Sequence, residues 1–293
     1  MSGHAWKNIG ASPSSKPHGV KAPRMIETSS SIPDPGRPHC GRVHDYLLSG
    51  KDYYPPDQEV GAELVAKAGE FHVVARAARR FLLRAVQNVA SEGVDQFVEL
   101  GSGYPCHPNV HEVVQLISPD ARTVYIDNDP IVAAHGRALL AGTHASVEHA
   151  DITDTNTTIA HIDAALNLAE PVALCAGFVL EFVAEPRPVM RSLIKALPAG
   201  SYVVLSHITA DITPDIAYRA AEIYGAHKIG FTPRDRGEIA DLLEGCELVD
   251  PGLVAPHRWR PDGEFEQRRA EQMDWSPPIA AEVCCYAAVG RVR

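Results

Sequence analysis

A chain of 293 residues, 45% of them hydrophobic and 22% charged, is long enough for a sizeable core and has the balance of an ordinary soluble globule. Its formal net charge of -10 offers no general attraction to nucleic acid or to an anionic membrane. No apolar stretch approaches the ~20 residues of a membrane span, and the start of the chain lacks the apolar segment of a signal peptide; the scattered cysteines are those expected of a cytoplasmic protein.

In chain order, residues 1–33 are rich in Ser, Pro and Gly without a hydrophobic period. They are read as a disordered or loosely attached arm, because such a segment buries too little surface to offset its ordering entropy. Residues 34–293 are expected to form a single domain, with a helical cap over 34–93 and an α/β core over 94–293. In the cap, "GRVHDYLLSGKDYYPPDQEVGAELVAK" predicts a short helix, a turn, and a second helix capped by Asp57. A longer helix follows in "EFHVVARAARRFLLRAVQNVASEG", where Val73, Ala77, Phe81, Leu82, Ala85 and Val89 repeat at helical spacing and Gly93 ends it.

From there the chain alternates. Strands are predicted at "DQFVELG", "RTVYIDND", "SVEHADI", "PVALCAGFVL" and "SYVVLSH", with helices at about 107–117, 130–141, 155–168 and 186–196 between them. Continuous apolar strands separated by helices imply a doubly wound, mostly parallel sheet covered on both faces. Helices at about 214–226 and 233–244 come next. The runs "CELVDPGLV" and "EVCCYAAVGRV" have no helix-sized apolar repeat between them, which predicts a terminal antiparallel pair and a seven-stranded, Rossmann-like sheet. Six scattered cysteines without a C-x-x-C pair read as reduced thiols, and no metal site is expected.

A doubly wound sheet binds ligands beyond the carboxyl ends of its strands. The first strand ends in Glu99 and a turn carrying Gly101 and Gly103, the second in Asp127 with Asn128 beside it, and the third at Asp151 and Ile152. Asp127 stands at the spacing of a ribose ligand, and Asp151 at the height of an adenine. A dinucleotide is disfavoured, since Tyr104, Pro105 and Cys106 replace the completion of a G-x-G-x-x-G turn and Glu99 would face phosphates. S-adenosylmethionine carries an ammonium and a sulfonium, for which Glu99 is favourable.

The stretches "RVHDYLLSGKDYYPPD", "FVELGSGYPCHPNVHEVVQLISPDARTVYIDNDPIVAAHGRALLAG", "PVALCAGFVLEFV", "GSYVVLSHITAD" and "LVDPGLVAPHRWRPDG" together resemble an actinobacterial family of S-adenosylmethionine-dependent methyltransferases long catalogued as a domain of unknown function. The resemblance covers about residues 36–293. It implies a class I methyltransferase fold with a helical cap and bound S-adenosylmethionine or its demethylated product. With it, Arg42, Tyr46 and Lys51 are expected to close over the cofactor, Arg42 or Lys51 pairing its carboxylate. Glu181 and His207, after the fourth and fifth strands, are the candidate bases should the acceptor need to lose a proton.

The expected activity is methylation of a small molecule, in keeping with secondary metabolism, with neither nucleic acid nor membrane as partner. The oligomeric state stays open, a homodimer among the options. The rival readings are a non-catalytic protein that binds S-adenosylmethionine or S-adenosylhomocysteine, and an NAD(P)-dependent oxidoreductase.

Overall fold

The structure, a computed structural model, describes residues 34–261 and 283–293. The predicted arm over 1–33 lies outside the described residues.

Seven strands form one sheet: β1 Gln96–Leu100, β2 Arg122–Asp127, β3 Ala145–His149, β4 Ala173–Gly177, β5 Tyr202–Ile208, β6 Cys246–Leu248 and β7 Cys285–Val292. Their order is β3-β2-β1-β4-β5-β7-β6, with β7 antiparallel to both β5 and β6 and the other pairs parallel. The reversed last strand and the doubly wound core are those expected. β1 is buried at every position, Gln96 and Glu99 included, which is why its apolar residues Phe97, Val98 and Leu100 fall on both faces rather than alternating with solvent-facing ones.

The period of two along each strand sorts side chains to two faces. Val98, Leu100, Val124, Ile126, Leu174, Val203 and Leu205 join one cluster. It is covered by α6 Thr155–Ala165, α7 Pro186–Ala196 and α9 Arg236–Asp241. Phe97, Tyr125, Cys175 and Val204 face the other way. They meet α4 Val110–Val114, α5 Pro130–Leu139 and the second half of α3 Phe71–Ser91. A third cluster ties the first half of α3 to α1 Cys40–Leu47, α2 Pro55–Lys67 and α8 Pro214–Ala226. At 21 residues, α3 runs about 30 Å, so it packs under the sheet and under the cap at once.

Two local details differ from the sequence reading. The second helix starts at Pro55 with proline in its first turn, where a missing N–H costs nothing. Asp57 accordingly sits two residues into the helix and reaches back to accept from the Tyr54 amide at 2.9 Å. The helix predicted at 107–117 is only Val110–Val114, since the proline-containing segment before it runs as a loop. Among the described residues, no helix is long and apolar enough to cross a membrane.

Candidate active site

The carboxyl ends of β1, β2, β3 and β4 open on one cavity of about 1110 Å³, its open mouth included, covered by α1 and by Ala78, Arg79 and Leu82 of α3. The turn after β1 forms its floor. Gly101 and Gly103 have φ of +59° and +61°, the left-handed region that favours glycine. A Cβ on Gly101 would stand 2.2 Å from a methyl of Val179, and one on Gly103 would stand 3.4 Å from the Gly41 carbonyl oxygen. The turn therefore has no room for a side chain at Gly101, and at Gly103 it passes beneath α1 at contact distance, where the left-handed backbone is what favours glycine.

Asp127 is buried at the end of β2. Its Oδ2 accepts from the Gly103 amide at 2.8 Å and its Oδ1 from the Asp129 amide at 2.9 Å. Burial pushes its carboxyl upward, opposed by the charge of His39 and by those amides. It does not cap α5, because Asp129 does so by accepting from the Ile131 amide. Asp151 accepts from the amide and hydroxyl of Thr153, and Asp154 caps α6. Asp127 and Asp151 both line the cavity and keep acceptor capacity there.

Glu99 shares the sheet face of Phe97, and that parity aims it at α3. Arg79 of α3 meets it there, Nη1 donating to Oε1 at 2.8 Å, while Nη2 donates to the carbonyls of Cys106 and Pro108. Burial raises the Glu99 carboxyl and Arg79 opposes the rise. Its second oxygen has no partner among the described residues. Sequence reasoning missed Arg79, which lies in an apolar helix face.

Seven of the ten residues expected at the cofactor line this cavity: Glu99, Gly101, Gly103, Asp127, Asn128, Asp151 and Ile152. Arg42, Tyr46 and Lys51 do not. Arg42 is buried between Asp129 at 3.0 Å and Asp57 at 3.7 Å, with Nη2 donating to the Arg37 carbonyl. Tyr46 packs on Tyr53 and fills the space over Gly61, and Lys51 is exposed in the turn. The face of α1 that lines the cavity is instead Gly41, His44, Asp45 and, just beyond the helix, Leu48, one stripe at i, i+3, i+4 and i+7. Arg42 and Tyr46 project from its other faces.

The two candidate bases also point elsewhere. The parity of β5 puts His207 with Leu205, on the α7 and α9 face. There its Nδ1 donates to the Ile208 carbonyl at 2.7 Å and its Nε2 accepts from Arg234 at 2.9 Å. Burial lowers its pKa although Glu181 opposes this. Glu181 accepts from the Ile208 amide at 2.6 Å and is buried. Neither lines the cavity, and the only basic nitrogen of His207 is already occupied.

Asp45 does line it, and burial pushes its carboxyl up to about 6, against the Asp52 amide that donates to it. A folded-state pKa above the unfolded value means stability that is fully present below about 4 and lost as pH rises through about 6. Asp45→Asn should therefore flatten the decline in unfolding free energy between those pH values by about 1–3 kcal/mol. Denaturant titrations across that range check it. An unchanged slope would mean that Asp45 is not held in its neutral form by the fold.

The donor set suits S-adenosylmethionine. A buried carboxylate with free lone pairs can receive ribose hydroxyls, the glycine turn leaves a close backbone approach, and Glu99 can face a cation. The helix after the turn begins only at Val110, so no helix N-terminus adjoins the glycines as a pyrophosphate site requires. Strand order, reversed last strand and this strand-end site define a class I S-adenosylmethionine-dependent methyltransferase. The chain belongs to the S-adenosyl methyltransferase family, whose sequence profile matches residues 26–293.

Among solved structures, a DUF574 family protein from Streptomyces avermitilis is 34% identical, with TM-score 0.80 over 88% of this chain and 98% of that one. A protein of Thermobifida fusca described as a candidate methyltransferase is 30% identical, with TM-score 0.78 over 94% of this chain and 100% of that one. The plantazolicin methyltransferase BamL, solved with a triazolic desmethylPZN analog and S-adenosylhomocysteine, shares the fold at 10% identity and TM-score 0.50 over 86% of this chain and 96% of that one. No curated protein matches the sequence.

Proposed function

We propose that the protein methylates a small molecule, with S-adenosylmethionine at the β1 to β3 end of the cavity and the acceptor at the β4 end. The observation that carries this reading is the cover over the β4 end, where α1 and α3 leave a chamber bordered by Leu48, Ala78, Leu82, Phe178 and Phe182. A chamber of that kind suits a compact ligand, as small-molecule sites are mostly apolar with few polar groups.

When bound, S-adenosylmethionine supplies a methyl group already activated on a cationic sulfur. The chain's own work is then to bind and align. Asp127 receives ribose hydroxyls, Asn128, Asp151 and Ile152 flank the adenine, and Glu99, fixed by Arg79, balances positive charge. Glu181 and His207 have no part as bases, so an acceptor proton leaves to solvent. The reading includes a cytoplasmic place in secondary metabolism, and the net charge of -10 disfavours nucleic acid as acceptor.

The test uses methyl-labelled S-adenosylmethionine with a bacterial cell extract, afterwards divided by an ultrafilter that retains proteins and nucleic acids. Once unreacted S-adenosylmethionine has been removed on a cation exchanger, label is expected in a new compound in the filtrate, absent when the protein is left out. Label confined to the retained fraction would contradict a small-molecule acceptor.

A further inference from the structure

Resting on that small-molecule reading, we propose that the acceptor is a planar, largely apolar molecule bearing one uncharged hydroxyl or N–H group, and that His44 anchors it by accepting a hydrogen bond from that group. His44 lines the cavity, yet neither of its ring nitrogens bonds a described residue: Nδ1 is buried without a partner, which leaves Nε2 as the nitrogen a ligand can reach. A polar group shut away unpaired costs free energy unless something satisfies it. The charged side chains near it have partners: Arg79 holds Glu99 and two carbonyls through its Nη atoms, only its Nε, a donor, staying unpaired among the described residues, and Asp45 accepts from the Asp52 amide. His44 is the cavity-lining ring with neither nitrogen engaged by a described residue, and so can accept from a ligand's O–H or N–H.

Its surroundings define the rest of that ligand. The His44 ring lies 4.8 Å from Phe178, which in turn stands 6.2 Å from Phe182. Phe178 has φ +55°, a conformation costly for an aromatic residue and kept where the site needs it. Aromatic faces beside Leu48 and Ala78 favour a flat apolar body. Burial and the nearby Arg79 charge push the His44 pKa down to about 3, so at neutral pH the ring is uncharged and has no pull on a carboxylate or phosphate.

The experiment uses the protein saturated with S-adenosylhomocysteine and three probes: naphthol, naphthalene and naphthoate, followed by fluorescence or ligand-observed NMR. The parent should bind naphthol roughly 5- to 10-fold more tightly than naphthalene, the worth of one hydrogen bond, and naphthoate no more tightly than naphthol. His44→Phe should erase the naphthol preference while naphthalene still binds, and His44→Gln, which retains an acceptor, should keep part of it. Affinity for S-adenosylhomocysteine should stay within about 2-fold in both variants, within the loss of less than one hydrogen bond. The proposal is overturned if the parent binds no probe, shows no naphthol preference or prefers naphthoate. It is equally overturned if His44→Phe keeps the preference or if either variant loses S-adenosylhomocysteine. Those outcomes leave the small-molecule reading standing, which fails separately if methyl label reaches only retained macromolecules.

Discussion

Replacing Arg79 by Met is expected to lower the unfolding free energy by about 3–5 kcal/mol, the cost of leaving one buried charge without its partner. Arg79 and Glu99 are both 8% exposed in their side chains and lie 2.8 Å apart. The guanidinium also holds the loop after the glycine turn through the Cys106 and Pro108 carbonyls. Without it Glu99 would face burial alone, and its carboxyl, already raised by burial, would take up a proton more readily. Binding of a cationic ligand should fall together with stability. Adding Glu99→Gln should recover part of the lost stability, because removing both charges costs less than stranding one. Urea titrations of the parent, the single variants and the double variant measure this. A loss below about 1 kcal/mol for Arg79→Met would rank the pair with exposed ion pairs.

The second large effect concerns Asp127. Asp127→Ala should weaken S-adenosylhomocysteine binding by about 3 kcal/mol, roughly 100-fold, as charge-assisted hydrogen bonds to hydroxyls are lost. The geometry adds to this cost, because the same carboxylate fixes the Gly103 and Asp129 amides. Its removal loosens the glycine turn as well as the ribose position. Asp127→Asn keeps the shape and one acceptor, and should lie between the two. Calorimetric titration decides it: an Asp127→Ala protein that binds like the parent would assign Asp127 to the turn alone.

Much of the fold was legible because parallel strands buried on both faces leave an unmistakable mark, the unbroken apolar runs around Phe97, Tyr125, Leu174 and Val204. The strand-end residues were legible for a related reason. A topological switch point brings the ends of neighbouring strands together whatever else the chain does, so Glu99, Gly101, Asp127 and Asp151 could be brought to one edge by counting. Side-chain direction was less accessible. The helix α1 has eight residues, and its apolar pair Val43 and Leu47 marks the side that packs on the body but not which of the remaining polar faces lies over the glycine turn. What orients it is Arg42 between Asp57 and Asp129, partners far away in sequence. His207 illustrates the other limit. Its position at the end of β5 was right, but its parity with Leu205 sends the ring to the opposite face, toward an Arg234 that only the folded chain brings near. Arg79 was hidden because an arginine amid apolar helix positions looks like a solvated residue until Glu99 is seen beneath it. The stripe of Gly41, His44, Asp45 and Leu48 was present in the sequence at helical spacing, and could have been found by asking which α1 face lies over the glycine turn.

A cavity built for a cationic sulfur cofactor without phosphates should tell S-adenosylhomocysteine from NAD in calorimetric titrations of the parent protein. One site for S-adenosylhomocysteine and no heat with NAD is the predicted result. Tight NAD binding with no response to S-adenosylhomocysteine would contradict it.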